Sequence, residues 1–283
     1  MTADPPAEEI AYAKINLALH VRRRRPDGYH DIETLFAFCE EGDRLSAAPA
    51  DGLSLAIAGP FAAGLEADGG NLVLRAAEAL RAEAGVRGGA AIRLEKRLPV
   101  AAGIGGGSAD AAAALRLLAR LWRVTLPSER LHAIAAKLGA DVPACLASAA
   151  CRGEARGDAL RPIGEGALAG MPVLLVNPRV AVPTGPVFAA WDGADRGALG
   201  EGDPFAAALA GRNDLESPAR AVAPVIAEVV ERLSAAPGAR LARMSGSGAT
   251  CFALFEDAGA RDAADTKIAA EHPRWWRLPT RLR

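Results

Sequence analysis

The stretch LPVAAGIGGGSADAAAA at residues 98–114 decides how the rest of the chain is read. Its glycines Gly103, Gly105, Gly106 and Gly107 leave the backbone free to take φ > 0 and let a ligand approach the amides closely. Ser108 follows at the position of a helix N-cap, and the Ala-rich run through Leu115, Leu117 and Leu118 reads as a strong helix. The first amides of a helix lack intrahelical partners, and its dipole is positive at the same end. Loop and helix start therefore predict an anion site, with phosphate as the expected anion.

Two phosphate loops can be held against this stretch. A Walker A loop needs Gly-Lys-Ser/Thr after its first glycine and four residues, and no lysine lies between Val100 and Ser108. That reading fails. A dinucleotide fingerprint needs Gly-x-Gly-x-x-Gly straight off a buried strand, whereas here Ser108 takes the third position and Pro99 interrupts the approach. A partial glycine match leaves a nucleotide-binding Rossmann turn open. A flexible surface loop is the bland alternative, and it does not account for the capped, apolar-faced helix that follows.

The 283 residues suffice for one large or two modest domains, and 51% hydrophobic with 24% charged residues fits an ordinary soluble globular protein. Lysine and arginine number 33 against 34 aspartates and glutamates, so the net charge of −1 favours neither nucleic acid nor an anionic membrane as a partner. A small-molecule substrate is expected. Cys39, Cys145, Cys151 and Cys251 form no CxxC pair and no metal-ligand cluster with the histidines, so reduced, mostly buried thiols and no cysteine- or histidine-held metal are expected. With no leader and no uncharged apolar run of membrane-spanning length, the expected location is the cytoplasm. Lysine occurs only at Lys14, Lys96, Lys137 and Lys267 in an arginine-rich chain, and a compact ammonium does what a planar guanidinium cannot.

Residues 10–21 alternate as a strand, with Lys14 and Asn16 on one face; a solvated face and a functional pair both remain open there. Arg22 to Arg25 read as solvated surface before the Pro26-Asp27-Gly28 turn, and Tyr29 and His30 offer a ring face and a hydrogen-bonding edge, or simple packing. Strands are predicted over 32–39, 44–47 and 53–58, a helix capped by Asn71 that stops near Gly85, and a strand over 91–96. Helices are predicted over 108–122 and 127–138, and Asp141 reads as the N-cap of a short helix before Pro143. Beyond these come a strand at 171–176, a helix from Pro183 carrying Phe188 and Trp191, a helix over 222–233 and a strand over 241–244. The turn Ser245-Gly246-Ser247-Gly248-Ala249, a strand over 250–255, a helix over 263–270 and a strand over 275–278 complete the chain. This order predicts an α+β fold on an antiparallel sheet, with a site shared by the two glycine-rich loops.

The segments AKINLALHV (13–21), RPDGYHDIETLF (25–36), GIGGGSADAAA (103–113), LGADVP (138–143) and SGSGA (245–249) together resemble the GHMP kinase superfamily. The DGYH block resembles, more narrowly, those members that phosphorylate 4-diphosphocytidyl-2-C-methyl-D-erythritol. The likeness spans nearly the whole chain. It departs at Ile104, where Leu is usual, and at Ala109, where a second Ser is common.

The resemblance implies a two-domain GHMP kinase fold, with an ATP-binding domain over 1–163, a substrate-side domain over 164–283 and the active site in the cleft between them. The implied reaction is ATP-dependent phosphorylation of the substrate's 2-hydroxyl in non-mevalonate isoprenoid synthesis, with Mg²⁺. On this likeness Asp141 is the general base and Lys14 its partner. A nearby cation lowers a carboxylate pKa, and a positioned base contributes roughly 10²–10⁴-fold. Asn16 would orient the hydroxyl. Pro99, Gly103, Gly105, Gly106, Gly107 and Ser108 would cradle the ATP phosphates, and Asn71 and the Lys96 segment would form the adenine pocket. Tyr29 and Phe188 would sandwich cytosine with His30 at its edge, while Gly246 and Gly248 would close over the substrate diphosphate. The alternatives are a homoserine- or mevalonate-type kinase, which has no use for an aromatic clamp, and a regulator without catalysis, against which Lys14 and Asp141 occurring together argues.

Overall fold

The computed structural model describes residues 7–164 and 168–283. Among them the elements run β1 (Ala7–Arg24), β2 (His30–Ala50), β3 (Leu53–Ala58), α1 (Leu72–Ala84), β4 (Gly89–Glu95), α2 (Gly106–Leu121), α3 (Ser128–Leu138) and α4 (Val142–Ala147). There follow β5 (Cys151–Glu154), β6 (Ala159–Pro162), β7 (Pro172–Asn177), α5 (Thr184–Ala189), α6 (Pro204–Ala210), α7 (Glu216–Val222) and α8 (Val225–Ser234). The chain ends in β8 (Ala239–Met244), β9 (Cys251–Phe255), α9 (Ala258–Glu271) and β10 (Trp276–Arg281). This is the expected α+β class. The described residues fall into two compact units, one of 7–13, 41–100 and 106–147, the other of 14–40, 101–105, 148–164 and 168–283.

In the first unit the later part of β2 pairs antiparallel with β4, Arg44 opposite Glu95, and β3 joins β4 in parallel. Two strands were expected where β2 runs unbroken. Gly42 does not end the strand; it lets β2 pass against β1, because a Cβ there would fall 1.9 Å from the Ala11 carbonyl oxygen. Asn71 caps α1 by accepting the Val73 amide at 3.0 Å, and Gly85 ends the helix at φ 64°. Helix α2 starts two residues earlier than expected. Gly105 makes the reversal at φ 64°, so Ser108 lies inside the first turn and is not its N-cap. The α2 face that buries Leu115, Leu117 and Leu118 supplies core, and α1, α3 and α4 pack against this helix.

In the second unit β7, β8, β9 and β10 form an antiparallel sheet in the order β10-β7-β9-β8, with Leu175 opposite both Leu278 and Phe252. Its core gathers Leu174, Val176, Leu215, Val229, Cys251 and Phe255. The early part of β2 pairs with β5, Thr34 opposite Gly153, and β5 pairs with β6. Strands β5 and β6 and helices α6 and α7 are too short to carry a readable period in the sequence. Helix α8 begins at Val225 because Pro224 stands at its boundary. All four cysteines are free and buried. Among the described residues no helix is long and apolar enough to cross a membrane.

Candidate active site

In the second unit, alternation along β1 turns Lys14 and Asn16 to the same face, and both are buried. Lys14 Nζ donates to Asn16 Oδ1 at 3.1 Å and lies 4.9 Å from the centre of the Phe36 ring. Asn16 Nδ2 donates to Thr34 Oγ1 at 2.8 Å, and that hydroxyl donates to the Ala18 carbonyl at 2.7 Å. Both polar atoms of the Asn16 side chain thus have a partner, which fixes the amide orientation with its oxygen toward the ammonium.

Two parts of the molecule that are distant in sequence meet beside these residues. The Ser245 hydroxyl accepts the Asn16 amide at 3.1 Å and donates to the Gly103 carbonyl at 2.8 Å. Gly103, at φ 74°, passes so close that a Cβ would lie 2.4 Å from the Ser245 carbonyl oxygen. Gly246 and Gly248 also take positive φ, 55° and 89°, and are buried. The start of the first glycine loop and the second loop are therefore one packed junction within this unit.

The aromatic group is split. His30 is buried, with its ring centre 5.1 Å from Phe188 and 5.7 Å from Trp191, the latter edge-on. Burial and then the Arg24 guanidinium hold its pKa below the ordinary histidine value, so the ring is neutral at pH 7. Tyr29 is exposed, and its ring meets the Arg156 guanidinium at 5.2 Å. Trp191, which meets the His30 ring edge-on, reads in the sequence only as part of a helix. It lies just beyond the end of α5.

In the first unit, Gly106, Gly107 and Ser108 form the first turn of α2, the geometry an anion site needs, and Pro99 is buried in the approach to it. Asn71 has both ends of its amide engaged, since Nδ2 donates to the Glu66 carbonyl at 2.9 Å while Oδ1 caps α1. Asp141 directly precedes α4, and its carbonyl accepts the Cys145 amide at 3.1 Å. Lys96 is buried with its ammonium between Asp43 and Asp110. Neither carboxylate was singled out from sequence, although an aspartate inside the alanine run of α2 is a signal that could have found Asp110.

The family models for the GHMP kinases match here, the N-terminal domain over residues 71–149 and the C-terminal domain over 195–273. The 4-diphosphocytidyl-2-C-methyl-D-erythritol kinase of Rhizorhabdus wittichii is 64% identical over 97% of this chain and 94% of its own length. That of Sphingopyxis alaskensis is 54% identical over 97% and 98%. A crystal structure of 4-(cytidine 5'-diphospho)-2C-methyl-D-erythritol kinase superposes with TM-score 0.77 at 36% identity, covering 97% of this chain and 99% of that one. Homoserine kinase from Cytophaga hutchinsonii, at 16% identity, shares the fold with TM-score 0.77 over 100% and 96%. The chain belongs to the 4-diphosphocytidyl-2-C-methyl-D-erythritol kinase family of the GHMP kinases. It is accordingly an ATP-dependent kinase with the α+β fold of that superfamily.

Proposed function

We propose that this chain transfers the γ-phosphoryl group of ATP to the 2-hydroxyl of 4-diphosphocytidyl-2-C-methyl-D-erythritol. The products are the 2-phosphate and ADP, made in the cytoplasm on the non-mevalonate route to isopentenyl diphosphate. The observation that carries the substrate is the packing of His30 from the DGYH block against Phe188, a pairing suited to a nucleobase. In this reading Tyr29 and Phe188 take the faces of cytosine, the neutral His30 bonds its edge, and Gly246 and Gly248 lie against the diphosphate.

The phosphates of ATP bind the amides of Gly103, Gly105, Gly106, Gly107 and Ser108 beyond Pro99, with adenine near Asn71 and the Lys96 backbone. Phosphoryl transfer depends on positioning and electrostatic stabilisation, which a helix N-terminus supplies. Among the described residues no cluster of three or more histidines, cysteines or carboxylates is placed to hold a metal. Mg²⁺ would be carried on the ATP phosphates, where it would neutralise their charge. Asp141 takes the proton of the attacking hydroxyl, Lys14 steadies the charge on that oxygen, and Asn16 holds Lys14 in register. The ATP-binding domain is proposed as residues 1–163 and the substrate-side domain as 164–283, a boundary that falls between the two family matches.

The test is ADP release with Mg-ATP and the cytidyl substrate, beside homoserine and mevalonate. Turnover of the cytidyl substrate is expected, and turnover of a control in its place would discard the substrate while keeping the kinase. Tyr29→Ala and Phe188→Ala are expected to raise KM for the cytidyl substrate by about tenfold and to spare KM for ATP, stacking being worth ~1–3 kcal/mol per base. Equal weakening of both would sink the aromatic assignment.

A further inference from the structure

The first unit holds a buried charge cluster for which the proposed reaction has no use. Lys96 Nζ donates to Asp43 Oδ2 and, at 2.7 Å, to Asp110 Oδ2. Asp43 Oδ1 also accepts the backbone amides of Arg97 at 2.5 Å and Leu98 at 2.8 Å. One carboxylate thus anchors both the ammonium and the backbone that leads toward the glycine loop. Asp110 belongs to the second turn of α2, and its Oδ1 is buried with no hydrogen-bond partner among the described residues. A Cβ on Gly106 would lie 3.5 Å from Lys96 Nζ and 3.8 Å from Asp43 Oδ2, so α2 begins directly on the cluster.

Stability alone is a poor account of this arrangement. Burying three ionisable groups costs desolvation that well-packed apolar side chains of the same volume avoid, and an orphaned carboxylate oxygen adds to the cost. What the cluster does supply is registration, because a single ammonium ties three chain segments at fixed distances. The glycine loop has no lysine of its own. Lys96 reaches it from the end of β4, and its compact ammonium meets both carboxylates and Gly106 as a point charge, where a guanidinium is a planar fork.

Resting on the reading that this loop binds the phosphates of ATP, we propose that Lys96 and Asp110 are positioning residues of the phosphate site. The hydrogen bond from Lys96 to Asp110 pins α2 and Gly106 to the 96–98 segment and so presets the first-turn amides for the anion. Without the pin those amides must be ordered when ATP binds, and the ordering weakens affinity. Burial pushes the Asp110 carboxyl up to about 7, Lys96 opposing and Asp43 adding to the rise. Burial pulls on the Lys96 ammonium too, but the two carboxylates outweigh it and hold its pKa above the ordinary value.

The experiment is calorimetric titration of the full chain with Mg-ATP, with CDP as the probe of the other ligand. Asp110→Ala is the informative variant, since alanine suits the helix and the Lys96–Asp43 pair stays charge-balanced. It is expected to bind ATP roughly tenfold more weakly, about 1.4 kcal/mol, with CDP affinity unchanged. Asp110→Asn keeps an oxygen for Lys96 and is expected to restore ATP binding to within about twofold of the wild type, well under 1.4 kcal/mol. A merely electrostatic role has the opposite sign, because removing a carboxylate near an anion site tightens ATP, so unchanged or tighter binding by Asp110→Ala overturns the inference. Lys96→Met/Asp110→Asn removes the pin from the other side and is expected to show the same loss should Asp110→Ala not fold; wild-type affinity in that variant also overturns it. Absence of ATP binding by the wild type removes the phosphate-site reading itself, and the inference falls with it.

Discussion

In the first unit the helix that follows the glycine loop rests on an ammonium between two carboxylates, whereas in the second the 245–249 loop is held by amides and hydroxyls. Asn213 Nδ2 donates to the Met244 and Gly246 carbonyls, each at 2.8 Å, and Asn177 Nδ2 reaches Thr250 Oγ1 at 2.9 Å. Ser245 adds the link to Gly103. A neutral hydrogen bond contributes about 0.5–1.5 kcal/mol and does not titrate, while breaking a buried ion pair costs ~3–5 kcal/mol and leaves a charge behind. Charge makes the first fastening strong and pH-sensitive. Amides make the second weaker per bond and indifferent to pH.

The largest effect is expected at Asp43. Asp43→Ala strips Lys96 of one partner and two backbone amides of their acceptor, and should lower the free energy of unfolding by ~3–5 kcal/mol in urea titrations. A loss near 1 kcal/mol would put the charged fastening on the same footing as a neutral one and erase the contrast.

Next comes the partly buried carboxylate of the same unit, Asp141, whose proposed work is chemical. Asp141→Asn is expected to lower kcat by at least ~10²-fold while circular dichroism stays that of the wild type. A cap without catalytic duty gives the reverse pattern, near-full activity and ~1 kcal/mol of lost stability.

Much of this was legible in the sequence because local signals agreed. Asn71 before an apolar stripe and Gly85 after it place α1 within a residue of where it lies, since cap chemistry is local. The alternation along β1 brought Lys14 and Asn16 to one face for the same reason. Gly42 misled, because a glycine that permits close strand approach looks in sequence like one that ends a strand. Lys96 stood out by its rarity, but its partners did not. Asp43 follows that glycine and reads as part of a turn, and the pairing with Asp110 spans segments that only tertiary folding joins. Trp191 escaped for a similar cause, its contact being with His30 from the far end of the chain's order. Non-local polar pairing leaves no period to read.

A smaller loss is expected in the neutral fastening. Asn213→Ala removes donors to two carbonyls and the acceptor of the Leu215 amide at 3.0 Å, and should cost ~1–3 kcal/mol in the same urea titrations. That loss should be equal at every pH, because none of the groups involved ionises. A pH-dependent loss would mean that charge reaches the second loop after all.

The last test reads a slope instead of a size, and it is the sharpest test of the contrast. The Asp110 carboxyl stands at about 7 in the folded chain, against roughly 3.9 for an unfolded aspartate. Between those values the folded chain binds more protons than the unfolded one, so the free energy of unfolding falls as pH rises through that window. For one proton the slope is at most ~1.4 kcal/mol per pH unit, and it vanishes for this group outside the window. Asp110→Asn has no proton to exchange, so its stability between about pH 5 and pH 7 should be flatter than that of the wild type. Asn213→Ala, by contrast, should run parallel to the wild type, displaced but not tilted. If the Asp110→Asn curve also runs parallel, the cluster does not titrate, and the difference between the two loops lies in geometry instead of charge.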